Sequence, residues 1–336
     1  MIPNFFVGSC IVFLTLLDVT SSLSSSSSTP AIAPSTRLKT LLSKPGCNLM
    51  PGCYDGLSAR LIQTHESNFK IAFMTGFGAA ASRGYPDLGL LSSGDVMENA
   101  RSVTESMRMA AAETNKDLIP CIVDGDTGYG GSAIVRRTIL NFGAAGVAGV
   151  LIEDQAAASE GGMKRCGHVD GKDVVSFEDA LERVKVAVAA RDEFKAITGT
   201  DGPLILARTD ARGSKTFQSN GLEEGIRRCK AFRDVGADIT FLESPQNVDE
   251  MMEYCDKVEG PKMANLIEGG KTPILTLKDL DKMGYSIAVY PLSLLSAATK
   301  AMNKVLDAQA VGSKGYEDDL LQFQELKRSV GFDAYL

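Results

Sequence analysis

Two aspartates, Asp124 and Asp126, stand two residues apart in the segment DGDTGYG (Asp124–Gly130), and a Glu153-Asp154 pair ends a later apolar run. On an extended strand, side chains two apart point the same way, so both aspartates can face one cleft. With Glu153 they make a hard oxygen site suited to Mg²⁺, with Mn²⁺ as the alternative ion. Glu153 and Asp154 are neighbours and cannot both point inward, so only one of them should join the site. The chain has only two histidines, His65 and His168, which excludes a multi-histidine metal site.

A second kind of chemistry is written in Lys164-Arg165-Cys166-Gly167-His168, inside a long glycine-containing stretch from Gln155 to Lys172. Lys164, Arg165 and His168 would favour the thiolate of Cys166 and poise it for proton exchange near neutral pH. The length and glycines of the stretch read as a lid over a site. The other cysteines, Cys10, Cys47, Cys53, Cys121, Cys229 and Cys255, lack such a basic context and read as reduced thiols of the leader, core or helices.

The elements that position these residues are legible as a repeat. Eight short apolar runs follow one another, separated by stretches of helical periodicity. They are 49–53, 71–75, 119–123, 149–153, 204–208, 239–243, 263–267 and 287–290. Phe177–Phe194 and Leu222–Val235 are two of the intervening helices. Eight βα units over residues 45–310 predict one (β/α)8 barrel, with the doubly wound open sheet disfavoured because no glycine-rich dinucleotide loop follows the first run. In such a barrel the chemistry gathers at the C-terminal ends of the strands. Those ends carry Thr75, Asp124, Asp126, Glu153, Asp154, Arg208, Asp210, Glu243, Asn265, Glu268 and Ser293.

Composition bounds the partners. With 336 residues, 44% hydrophobic and 23% charged, the chain reads as an ordinary globular protein, and a net charge of −7 leaves no basic face for nucleic acid. Phe5–Leu17 is apolar but only thirteen residues long, too short for a stable membrane span. The Ser/Thr/Pro-rich residues that follow complete a leader over 1–40, which predicts import into an organelle, a plastid first and a mitochondrion or secretion as alternatives. Residues 311–336 form a C-terminal tail, helical over Glu317–Phe332.

DGDTGYG, IEDQ (Ile152–Gln155), KRCGH, ARTDA (Ala207–Ala211) and NLIEGGKTP (Asn265–Pro273) together resemble the isocitrate lyase / phosphoenolpyruvate mutase superfamily. The resemblance spans residues 45–310 and is nearest in character to the plant-type members, the carboxyvinyl-carboxyphosphonate phosphorylmutase-like and petal death protein groups. It implies Asp126 as the main Mg²⁺ ligand, with Asp124 and Glu153 acting mostly through water. It implies that Arg208 clamps a substrate carboxylate, and that Thr75, Gly76, Phe77, Asp87, Gly167, Glu243 and Asn265 line the substrate pocket. Cys166 matches the family's lyase thiol, where phosphorus–carbon mutases carry asparagine. The implied activity is carbon–carbon cleavage, or hydrolysis, of a small 2-hydroxy or 2-oxo dicarboxylate such as a 2-alkylmalate or oxaloacetate, with Cys166 protonating the enolate. A phosphonomutase acting on phosphoenolpyruvate or a carboxyphosphonate is the alternative. Val169-Asp170 departs from the bacterial isocitrate-type lyases, which bears on whether the substrate is tricarboxylic. The resemblance also implies a homotetramer with terminal helices exchanged between subunits.

Overall fold

The computed structural model describes residues 32–156, 164, 167–168, 171–312 and 315–335. A strand covered on both faces needs apolar residues without alternation, and each of the eight apolar runs becomes one. They are β1 (Asn48–Cys53), β2 (Ala72–Met74), β3 (Cys121–Asp124), β4 (Gly149–Glu153), β5 (Leu204–Thr209), β6 (Ile239–Leu242), β7 (Met263–Asn265) and β8 (Ile287–Tyr290). All pair in parallel in the order β6-β5-β4-β3-β2-β1-β8-β7, and a parallel bridge between Thr240 and Lys262 brings the two ends of the sheet together. This is the expected (β/α)8 barrel.

The helices between the strands cover the outside. They are α2 (Gly56–Thr64), α3 (Gly76–Ala81), α4 (Ser93–Thr114), α5 (Ser132–Ala144), α6 (Phe177–Thr198), α7 (Gly221–Asp234), α8 (Val248–Lys257), α9 (Leu277–Met283) and α10 (Ser293–Ala310). Most begin on a side chain that accepts an amide hydrogen bond of the first turn, for example Asp55, Ser92, Ser176, Asn247 and Thr276.

The period of two along each strand decides what reaches the mouth of the barrel. Leu151 of β4, Leu204 and Leu206 of β5, Ile239 and Phe241 of β6, and Met263 of β7 fill the interior together with Phe73, Ile122 and Val289. Continuing each inward phase by one step places Thr75, Asp124, Glu153, Arg208, Glu243, Asn265 and Pro291 at the C-terminal rim. The opposite phase puts Val150, Ile152 and Ile205 under the helices.

The lower end of the barrel is shut by a helix, and this corrects the inner boundary expected for the leader. α1 (Pro34–Leu42) starts on a proline and inserts Leu38, with no exposed surface, among the interior residues. Ser35 Oγ donates to the Asp201 carbonyl at 2.7 Å and Thr36 Oγ1 to Asp201 Oδ2 at 2.8 Å. The folded body therefore includes Pro34, well before residue 45. Leu38→Ala should cost about 2–5 kcal/mol, the usual range for emptying a fully buried leucine site, and denaturant unfolding measures it. An unchanged midpoint would mean that α1 is not part of the cooperative unit.

The tail is broken rather than one helix. A 3-10 turn at Glu317–Asp319, α11 (Phe323–Ser329) and a second turn at Phe332–Ala334 replace the single helix expected over 317–332. Arg60 fastens it to the barrel by donating through Nε to the Ser329 carbonyl at 2.8 Å and pairing with Glu113. Among the described residues no helix is long and apolar enough to cross a membrane.

Candidate active site

The rim residues converge. Thr75, Phe77, Asp87, Asp124, Lys164, Gly167, Arg208, Glu243 and Asn265 line one small cavity of about 40 Å³, with Asp126, Glu153 and His168 in contact with its walls. That volume suits a water or two. Cys166 and Arg165, and most of the stretch expected to act as a lid, lie outside the described residues.

The acidic side of the cavity is built by backbone approach. Gly76 N donates to Asp124 Oδ2 at 3.3 Å, and a β-carbon at residue 76 would stand 2.7 Å from that oxygen and displace the carboxylate. Asp124 Oδ1 in turn accepts from Asp126 N at 3.0 Å. Asp126 does reach the same cleft, but strand alternation is not the cause: β3 ends at Asp124, and Asp126 sits at φ 49°, in the left-handed region that aspartate tolerates better than most residues. The adjacent Glu153-Asp154 pair divides as expected. Glu153 lies against Arg208, which lines the cavity, whereas Asp154 turns to Arg228 Nη1 at 2.9 Å and accepts from Asp210 N at 2.9 Å.

Crowding sets the electrostatics. Burial, and then the Asp126 charge, push Asp124 up to about 6. Burial also holds Glu153 well above the usual carboxylate range, with Arg208 and Lys164 pulling the other way. Lys164 donates to Asp87 Oδ1 at 2.8 Å and its ammonium contacts Asp126 Oδ1. Burial disfavours that ammonium, but Asp126, Glu153 and Asp87 outweigh it and keep the amine charged. In the fold its ammonium thus meets acids that are far from it in sequence.

The same holds for His168, whose Nε2 lies 3.1 Å from Glu243 Oε1. Its Nδ1 accepts from the Lys271 amide at 2.9 Å and so carries no proton, which leaves Nε2–H as the donor to Glu243. In this position the ring orients Glu243 and is not free to act as a base. Burial opposes ionisation of Glu243, yet Arg208 and then the His168 hydrogen bond hold it well below the usual range. Asn265 Nδ2 completes the group at 3.3 Å from both Glu243 oxygens.

Arg208 is the hub. Nε and Nη2 donate to Asp210 at 2.8 and 3.0 Å, Nη2 is 3.2 Å from Glu243 Oε2, and Nη1 is 3.5 Å from Glu153 Oε2. Sequence reasoning missed two contributors here. Lys172 has no exposed surface and pairs with Asp210 at 2.5 Å, and Ser244 at φ 57° donates to the Gly167 carbonyl. Neither leaves a signal in the sequence, since a lone lysine at a loop end and a serine after a glutamate are ordinary.

Whether the acids suit a divalent cation can be judged on their oxygens. Both Glu153 oxygens are buried without a hydrogen-bond partner, as is Asp126 Oδ1 apart from the ammonium beside it. Orphaned buried carboxylate oxygens are costly unless a cation serves them, so the residues fit Mg²⁺. Among the described residues no three such groups lie close enough to cage an ion directly.

Residues 38–310 match the family described as phosphoenolpyruvate phosphomutase. The chain is 36% identical to the chloroplastic carboxyvinyl-carboxyphosphonate phosphorylmutase of Arabidopsis thaliana, over 91% of this chain and 84% of that one. It is 33% identical to 2,3-dimethylmalate lyase of Eubacterium barkeri, over 88% and 94%. Among solved structures, oxaloacetate acetylhydrolase in complex with the inhibitor 3,3-difluorooxalacetate superposes with a TM-score of 0.78 at 33% identity, covering 90% of this chain and 95% of the other. The barrel, the acids gathered at its mouth and these likenesses lead to one statement: the chain belongs to the phosphoenolpyruvate phosphomutase family, within the isocitrate lyase / phosphoenolpyruvate mutase superfamily of lyases and mutases.

Proposed function

We propose that the protein is a Mg²⁺-dependent carbon–carbon lyase acting on a small 2-hydroxy dicarboxylate of the 2-alkylmalate type. The observation that carries this reading is the mixed lining of the cavity. Carboxylates and Arg208 line it together with Phe77, Ile267, Pro291 and Leu292, a wall that suits an alkyl group. Ser293, one of the polar residues at the strand ends, does not line this cavity, and its hydroxyl donates to Glu268 Oε1 at 2.5 Å.

Arg208, held by Asp210 and Glu243, would pair with the substrate carboxylate and orient the bond to be broken. Bound Mg²⁺ would stabilise the negative charge that develops on the oxygen at C2. As the C2–C3 bond breaks, the C2 hydroxyl passes its proton to a carboxylate of the acidic wall to give a 2-oxo acid, and the electron pair left on C3 forms an enolate with the adjacent carboxylate. The Cys166 thiol would deliver a proton to that carbon. Lys164 and Asp87 close the acidic side, and His168 and Asn265 hold Glu243 in register.

Measuring pyruvate, glyoxylate, oxalate and phosphonate products from 2-alkylmalates, oxaloacetate and phosphoenolpyruvate, with and without Mg²⁺, tests the reading. Pyruvate from a 2-alkylmalate only when Mg²⁺ is present is the expected result. Phosphonate chemistry without cleavage of any malate would overturn it.

The metal has a signature that needs no turnover. Without it, Asp124 holds its proton more tightly folded than unfolded, so its contribution to stability is lost as pH rises through about 6, and the raised Glu153 acts in the same direction. Mg²⁺ requires the ionised carboxylates, so its stabilisation should be full at pH 8 and fade below 6. The Mg²⁺-induced rise in Tm, measured across that range, checks the sign. A rise that is equal at pH 5 and pH 8 would count against these ligands.

The composition of residues 1–31 and the chloroplastic relative support a plastid location. A homotetramer is supported by α10, an 18-residue helix with no buried residue and with Leu294, Met302 and Leu306 exposed. Light scattering of the full chain measures its mass.

A further inference from the structure

A lysine with no contact with water is costly to bury and has to be held by fixed anionic or carbonyl partners. Lys172 is such a residue, and its partners belong to two different parts of the site. Its Nζ lies 2.5 Å from Asp210 Oδ1 and also donates to the Gly167 carbonyl. Asp210 is the carboxylate that receives Nε and Nη2 of Arg208, so its Oδ1 is shared between Lys172 and the guanidinium. The Gly167 carbonyl accepts a second hydrogen bond, from Ser244 Oγ at 2.9 Å. Ser244 holds φ 57°, a conformation that costs a serine energy and that persists where the surroundings over-determine it. Gly167 is pressed so closely on the Glu243 carboxyl group that a β-carbon there would collide with it.

Resting on the lyase reading above, we propose that Lys172 and Ser244 are positioning residues. They fix the Gly167 carbonyl to the ends of β5 and β6 and, through Asp210, link it to the guanidinium that takes the substrate carboxylate. Two consequences follow from the geometry. Residue 166 is covalently joined to the residue so fixed, so the placement of its thiol depends on the clasp. Lys172 also shares the charge of Asp210, which leaves Arg208 less fully neutralised and better able to attract a carboxylate.

Ser244→Gly removes the hydroxyl and accepts positive φ without strain, whereas Lys172→Met removes the charge at similar length. With a 2-alkylmalate, Ser244→Gly should lower kcat about tenfold while KM stays within about twofold, because only the placement of the thiol is loosened. Lys172→Met should lower kcat about 10²-fold and also raise KM, because Asp210 then neutralises Arg208 alone. Hydrogen exchange of the full chain is the readout that needs no activity. The peptide covering residues 164–172 should exchange about tenfold faster in both variants, with the β5 and β6 peptides within about twofold of the parent. A merely structural role would speed exchange in β5 and β6 as well and leave KM alone. If Lys172→Met does not fold, Ser244→Gly alone decides. Parent-like exchange in the 164–172 peptide, or parent-like kcat, in every variant that folds overturns the inference. A parent that cleaves no 2-alkylmalate but shows the exchange pattern sinks the lyase reading and leaves the clasp standing.

Discussion

Asp126→Asn is expected to remove roughly 10³-fold of Mg²⁺-dependent kcat/KM while leaving the barrel folded, the scale seen when a preorganised charge is taken from a site. Asparagine is the informative replacement because Asp126 lies at φ 49°, where asparagine is at ease and alanine is strained. The substitution therefore changes charge with little change of shape. Lys164 retains its 2.8 Å contact with Asp87, so no ammonium is left without a partner. The loss should appear in metal affinity as well as in rate, so titration of Mg²⁺ by calorimetry accompanies the kinetics. Parent-like turnover in Asp126→Asn, or in the parent with excess chelator, would remove the metal from the mechanism.

Cys166→Ser should lower carbon–carbon cleavage by roughly 10²–10⁴, the worth of a positioned acid. Serine keeps the size of the side chain but holds its proton too tightly to pass it to an enolate. The carboxylate would still meet Arg208, held by Glu153, Asp210 and Glu243, so KM should move little. Single-turnover measurements separate bond cleavage from protonation. A variant that cleaves 2-alkylmalates at the parent rate would exclude the thiol and favour phosphonate chemistry in its place.

Much of this architecture is readable from residue order because one rule, alternation along buried strands, both fills the interior and delivers the rim. Leu204, Leu206 and Arg208 show it within a single strand, as do Ile239, Phe241 and Glu243. What escapes the sequence depends on local backbone or on distant contacts. Asp126 reaches the site through a left-handed turn, and Ser244 adopts a φ that its type does not favour. Lys164 and His168 meet Asp87, Asp126 and Glu243 in the fold, partners far from them in sequence that no local pattern announces. Lys172 acquires meaning only once Asp210 and Gly167 are brought to it. α1 was hidden by its composition: Ser, Thr and Pro resemble a leader, and nine residues give a weak helical signal even with proline at the first turn.

The helix that shuts the barrel also limits where the chain can be cut. Any cleavage upstream that keeps this fold has to leave Ser35 and Leu38 in place, because one ties the helix to Asp201 and the other seals the strand ends. A cut a few residues further on would expose Gly149 and its interior neighbours to water and mark the product for degradation. The stretch Pro34–Leu42 is therefore held by its packing, and substitutions there should be tolerated far less than its composition suggests.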